Sequence, residues 1–236
     1  MIAVTALSIA AGCAAPSPER TQVGHHVVWL SVPRGWEHLD HGRQQLFRRG
    51  EEQLSLTDLG PATRAGLKND IQAAESLWLA GREQDAFERV RELRSPMMRD
   101  ALSRERADFW RPWTDATYDP QRADSAAIGT AFAALIEGTK IFPEPTPDRL
   151  LQYVLDLTGV TPNREIASRA ERTIHGSAWT EIETWSPVSH LGRSRVAFAL
   201  HDGDLLALAE DRGPDEPVAR AFEQLLRSIQ FAPPRE

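Results

Sequence analysis

His38-x-x-His41, with Glu37 and Asp40 alongside, sets four metal-type ligands within five residues, and His25-His26 stand one strand earlier. Imidazole and carboxylate are the donors that borderline divalent ions take, but a site needs at least three of them held in fixed geometry. A helical His-Glu-x-x-His fixes that spacing. This segment follows Pro33-Arg34-Gly35 and reads instead as a polar turn joining two strands, so no metal ligand is assigned. Glu181 and Glu183 fall on one face of a strand, as many solvated strand faces do. No Gly-x-Ser-x-Gly elbow and no phosphate-cradling glycine loop occurs. No catalytic residue and no cofactor is assigned, and the reading leans away from an enzyme. Phe109-Trp110-Arg111-Pro112-Trp113, with Tyr118 nearby, concentrates rings at a helix end. Phe109, Trp110, Trp113 and Tyr118 are the candidate surface for a partner or ligand, against the plainer role of sealing a helix–sheet junction.

Cys13 is the one cysteine, so the chain can make no internal disulfide and no thiolate metal site. An uncharged apolar run, Ile2 to Ala11, precedes Gly12-Cys13, and Ala14-Ala15-Pro16-Ser17-Pro18 follows. Ile9-Ala10-Ala11-Gly12-Cys13 resembles the lipobox of bacterial lipoproteins. The resemblance implies cleavage before Cys13 and lipid on its thiol and new amine, an anchor of more than one chain and therefore stable. It departs from the usual pattern in having Ala10 where leucine is commonest and no basic residue before the run. Ala14 after Cys13 favours the outer membrane, periplasmic side, in a two-membrane cell. No other stretch is long and apolar enough to span a bilayer. A net charge of −7 and a pI near 5.6 repel phosphate backbones, so nucleic acid is not an expected partner.

The elements that must position any site follow from periodicity. His26 to Val32, Gln44 to Arg48 and Gln53 to Thr57 read as three antiparallel strands, the latter two joined through Arg49-Gly50-Glu51-Glu52. Leu67, Ile71, Ala74 and Trp78 lie on one helical face, and Ala86, Val90, Leu93 and Met97 on another. Ala74, Leu77, Gly81 and Ala86 resemble the middle of a tetratricopeptide helix pair, but one copy without stacked neighbours reads as a plain αα-hairpin. Asp85 with Arg89 and Asp100 with Arg104 stand at i,i+4 spacing on what reads as a solvated face. Ile128 to Ile136 marks a further helix, and Thr146-Pro147-Asp148 opens another. Four strands return from Ile166, with Asp202-Gly203-Asp204 as a tight turn, and Val218, Phe222, Leu225 and Ile229 form the apolar face of a last helix.

A strand ending Val32-Pro33-Arg34-Gly35-Trp36, a hairpin, a meander and a closing helix from Phe222 to Phe231 together resemble the PsbP-like fold, which implies an antiparallel sheet flanked by helices. The expected class is α+β, with a large all-helical insertion. Residues 1–12 are the signal peptide, 13–24 a flexible tether, 25–60 and 146–231 the core, and 61–145 the insertion. The expected function is a non-catalytic, membrane-anchored binding or assembly module at the cell envelope, with another envelope protein or a small ligand as partner. The alternative is an envelope hydrolase or metal-binding protein whose site no motif reveals, with His38 and His41 as its metal version.

Overall fold

A computed structural model describes residues 17–92, 125–141, 144–157, 165–185, 193–210 and 216–232. Cys13 and the aromatic group Phe109, Trp110, Trp113 and Tyr118 lie outside the described residues.

The chain is α+β. Strands β1 (Glu19–Val23), β2 (His26–Leu30), β3 (Glu37–His41), β4 (Gln44–Arg49) and β5 (Glu52–Pro61) come first. Helices α1 (Arg64–Leu79), α2 (Glu83–Glu92), α3 (Ser125–Gly138) and α4 (Pro147–Leu157) follow, with a 3-10 turn at Thr139–Ile141. Strands β6 (Glu165–Ile174), β7 (Ser177–Trp185), β8 (Arg193–His201) and β9 (Asp204–Glu210), helix α5 (Glu216–Ser228) and the short β10 (Gln230–Phe231) complete it. Seven strands form one antiparallel sheet in the order β3-β4-β5-β9-β8-β7-β6, and three form a second in the order β1-β2-β10.

The central strand β9 explains the layering. All seven of its residues are buried, as a strand covered on both faces requires. Successive side chains point to opposite faces. Leu206 and Leu208 therefore join the core beneath α5, with Leu54, Leu56, Ala197, Trp179, Phe222 and Leu225. Leu205, Ala207 and Ala209 join a second core with Val196, Phe198 and Ile182, covered by Leu150, Tyr153 and Val154 of α4. The α5 stripe Val218, Ala221, Phe222, Leu225 and Leu226 follows the i, i+3, i+4 rule and is buried throughout. Thr146 caps α4 through its hydroxyl, which accepts from Arg149 N at 3.3 Å.

Four expectations change. Residues 19–23, read as tether, form β1, because they satisfy the backbone groups along one side of β2, with Arg20↔Trp29 and Thr21↔Val28 paired along it. Glu37–His41, read as a turn, is strand β3, paired from Glu37↔Arg48 to His41↔Gln44. The strand from His26 is not a neighbour of β4 but lies in the small sheet between β1 and β10. Glu181 is not solvated: it is buried between Arg172 at 3.1 Å and Arg195 at 3.3 Å.

The αα-hairpin is present. Gly81 (φ +77) ends α1, with Gly81 N donating to Trp78 O at 2.9 Å and Arg82 N to Leu77 O at 2.9 Å, a Schellman closure that needs the left-handed conformation glycine tolerates. Arg89 turns inward across this hairpin to Asp70 at 2.7 Å, while Asp85 pairs with Arg82 at 2.6 Å. Among the described residues no helix is long and apolar enough to cross a membrane.

Candidate functional site

Three apolar rows end in polar residues at the same place. In β2, His26 continues the inward face of Val28 and Leu30; in β5, Asp58 continues Leu54 and Leu56; in β9, Asp204 precedes Leu206 and Leu208. All three polar residues are buried. Alternation thus forces two carboxylates and an imidazole into one end of the core, where each needs a partner.

Local backbone devices fix them. The β8–β9 connection uses Asp202 (φ 52) and Gly203 (φ 90), the two left-handed residues of a type I′ hairpin turn. Gly203 O accepts from Ala62 N at 3.0 Å and Thr63 N at 3.1 Å, docking this turn on the start of α1. Thr63 caps that helix by accepting from Gly66 N at 3.0 Å. The Asp204 carboxylate therefore sits beside the positive end of a helix. Across the site, Gly24 (φ +62) turns the chain from β1 into β2 and lies so close to Asp58 that a Cβ there would fall 1.9 Å from its Oδ2. Asp58 Oδ1 accepts from Gly60 N at 2.8 Å, which pins the carboxylate at the irregularity in β5 between Asp58 and Pro61.

The two imidazoles of the His25-His26 pair converge on one oxygen. His25 Nε2 is 2.8 Å and His26 Nε2 2.9 Å from Asp204 Oδ2. Their ring centroids are 4.1 Å apart. His25 also stands 3.7 Å from Asp70 Oδ1 and, by Nδ1, 3.9 Å from Asp58 Oδ2. Arg43 Nη2 reaches Asp58 Oδ2 at 3.1 Å. His201 stacks on Phe231 with centroids 4.1 Å apart and meets the His26 ring edge-on at 5.3 Å.

Charge follows geometry. Burial works against a charged His25, but the hydrogen bond to Asp204 and the carboxylates of Asp70 and Asp204 outweigh it and hold its pKa above the ordinary value. Burial also opposes ionisation of Asp204, and the hydrogen bonds from His25 and His26 override it, so its pKa is lowered. Burial and the Asp204 charge push Asp70 up, against His25 and Arg89. For His201, burial dominates and the pKa falls.

His25 and Asp58 open onto a cleft of about 470 Å³, whose walls include Arg43, Asp70, Arg82, Glu88 and Arg89. Guanidinium and carboxylate groups both line it, paired as Arg43–Asp58, Arg82–Asp85 and Arg89–Asp70, so a small polar ligand would bind by sharing these charge-assisted contacts. The cluster of His25, His26, Asp58 and Asp204, which meets the cleft at His25 and Asp58, offers imidazole and carboxylate donors that could hold a cation.

No protein-family model and no curated protein matches this chain. Among solved structures it is similar to the solution structure of cyanobacterial PsbP (CyanoP) from Synechocystis sp. PCC 6803, at 13% identity and a TM-score of 0.39, over 94% of this chain and 96% of that one.

His38 and His41 do not come together. Three apart on a strand, they face opposite sides of the sheet. His38 stacks on Phe47 at 4.8 Å, bonds Gln45 Oε1 at 2.7 Å through Nε2 and meets Glu19 through Nδ1. His41 lines the cleft without joining the cluster. Of the early histidines, His25 and His26 are the ones brought to the site. Asp58, Asp70 and Arg43 carry no sequence motif, Asp204 is read only as part of a tight turn, and Arg89 only as part of a solvated face. The signal for two of them was present: an aspartate in register with leucines of a buried strand face.

Proposed function

We propose that the protein is a non-catalytic binding or assembly module of the cell envelope, anchored by lipid on Cys13, whose contact site is the cleft above His25. The observation that supports this most is the cleft itself, open to solvent, walled by both signs of charge and floored by fixed, buried acids. In the same reading the core is a PsbP-like sheet, and residues 61–145, with helices α1, α2 and α3, are an insertion that supplies one wall of the cleft through Arg82, Glu88 and Arg89. The anchor rests on the lipobox-like residues Ile9 to Cys13.

Two measurements test it. Mass spectrometry of the mature amino terminus should find Cys13 as first residue carrying diacylglycerol; an intact, unmodified amino terminus in the cytosol refutes the anchor. Crosslinking in membranes followed by purification should recover a reproducible partner or ligand, lost when Arg82 and Glu88 are both changed to alanine. Recovery unaffected by those changes removes the cleft from the proposal. The envelope-hydrolase alternative loses its metal version at His38 and His41, whose side chains lie on opposite faces.

A further inference from the structure

We propose that His25, His26, Asp58 and Asp204 form a site for one divalent transition-metal ion of the zinc type. The inference goes beyond the anchored-module reading and stands without it. One ligand atom from each of the four residues lies within 4.8 Å of all the others. Zinc bonds of about 2.0 to 2.2 Å place tetrahedral ligands about 3.3 to 3.6 Å apart. The cluster therefore closes on an ion through small side-chain movements. Two imidazoles with two carboxylates suit a borderline ion, whereas calcium and magnesium select oxygen donors alone.

Two further observations point to a ligand. The Asp58 side chain is fully buried, yet its Oδ2 receives no hydrogen bond from the described residues; it has the Arg43 guanidinium at 3.1 Å and faces His25 Nδ1 at 3.9 Å. Asp204 is also buried, and its Oδ1 receives no hydrogen bond from the described residues. A bound cation would be a second positive partner for Asp58 Oδ2 beside the Arg43 guanidinium and would offset the charge of the buried Asp204 carboxylate. The donors are already held: Asp58 by Gly60 N, Asp204 by the docked turn, His25 by the Gly24 conformation. Arg43 and Asp70, touching Asp58 and His25, orient the inner ligands as outer partners do. Solvent reaches the site, since the His25 side chain is 35% exposed and lines the cleft.

The purified full-length protein, stripped with chelator, is titrated with zinc chloride by calorimetry and checked by equilibrium dialysis. One zinc per chain is expected. His25→Ala, the change at the most exposed ligand, should weaken uptake by at least about tenfold, the least that losing even an outer partner costs. His41→Ala, which alters the cleft wall outside the cluster, should leave it unchanged. Circular dichroism establishes that both variants are folded. Parent protein that takes up no zinc, or a folded His25→Ala variant that binds as the parent does, overturns the assignment. Should His25→Ala fail to fold, the cobalt-loaded parent decides: intense tetrahedral visible bands support the site, and a weak spectrum like aqueous cobalt overturns it. Partner capture from membranes can fail without touching any of these readouts.

Discussion

Changing Glu210 to glutamine should remove a pH-dependent weakness from the centre of the sheet. Glu210 is the last residue of β9, opposite Leu54, and only 5% exposed. Neither carboxylate oxygen receives a hydrogen bond from the described residues. Burial raises its pKa from 4.5 to about 7; the Arg195 charge works the other way, and Glu183 and Glu181 reinforce the rise. Because the folded protein holds this proton more tightly than the unfolded chain, stability is fully present below pH 4.5 and drains away as pH climbs toward about 7. At about 1.4 kcal/mol for each tenfold change in proton affinity, the loss approaches ~3 kcal/mol. Typical domains have only about 5–15 kcal/mol in total. Urea unfolding followed by tryptophan fluorescence at pH 4.5, 6 and 8 measures it. Glu210→Gln and the parent should be close at pH 4.5, and the variant should be the more stable by up to ~3 kcal/mol at pH 8. Histidines that titrate in this window are common to both chains and cancel in the difference. Parallel pH profiles for the two proteins would show that Glu210 is ionised and paired in the fold, and would refute the reasoning.

Gly66→Ala sets helix propensity against packing. Alanine is favoured in a helix interior by about 1 kcal/mol, but here a Cβ would lie 2.4 Å from Gly203 O, so chemical denaturation should show a net loss. Phe222→Ala empties the α5 face of its fully buried ring and should cost about 3–5 kcal/mol, read as a lowered urea midpoint with unchanged slope. Thr63→Ala removes the α1 cap and should cost about 1 kcal/mol, with hydrogen exchange rising first in the opening turn of that helix. Glu223 is opposed by burial but held below its ordinary pKa by hydrogen bonds from Arg227 and Arg172, so its contribution is present at neutral pH and lost on acidification. Glu223→Gln should flatten the acid limb of the stability curve, and an unchanged limb would count against that pairing.

Periodicity made the helices and the meander legible. Leu67, Ile71 and Ala74 are buried on α1, Val218, Phe222 and Leu225 on α5, and the Asp202-Gly203 turn stands where the Asp-Gly pair put it. What failed was pairing. Glu19–Val23 carries no apolar alternation, and it is a strand because β2 needs a partner, a fact of tertiary contact that composition does not hold. Glu37–His41 failed for a similar reason: its polar residues lie at the rim of the large sheet, where one side of the strand meets water. The site was half legible. His25 and His26 drew attention as donors, but pairing them with Asp58 and Asp204 needs the strand order β5-β9 and the small sheet laid against it, and neither follows from local spacing.

Strand β9 carries an acid at each end, and the contrast between them is the physical basis for locating the site. Asp204 and Glu210 lie about 20 Å apart along one fully buried strand, at the usual rise of about 3.3 Å per residue. If acids at strand ends were only where a core meets solvent, the two should have similar company. They do not. Asp204 has two imidazoles on one oxygen, a helix terminus beside it and a cleft within reach through His25. Glu210 has buried neighbours, no hydrogen bond from the described residues and a pKa pushed to about 7, so near neutrality burial tells against its charge. One of these carboxylates is kept charged amid donors and the other lapses toward neutrality, and the proposed cation site lies at the charged one.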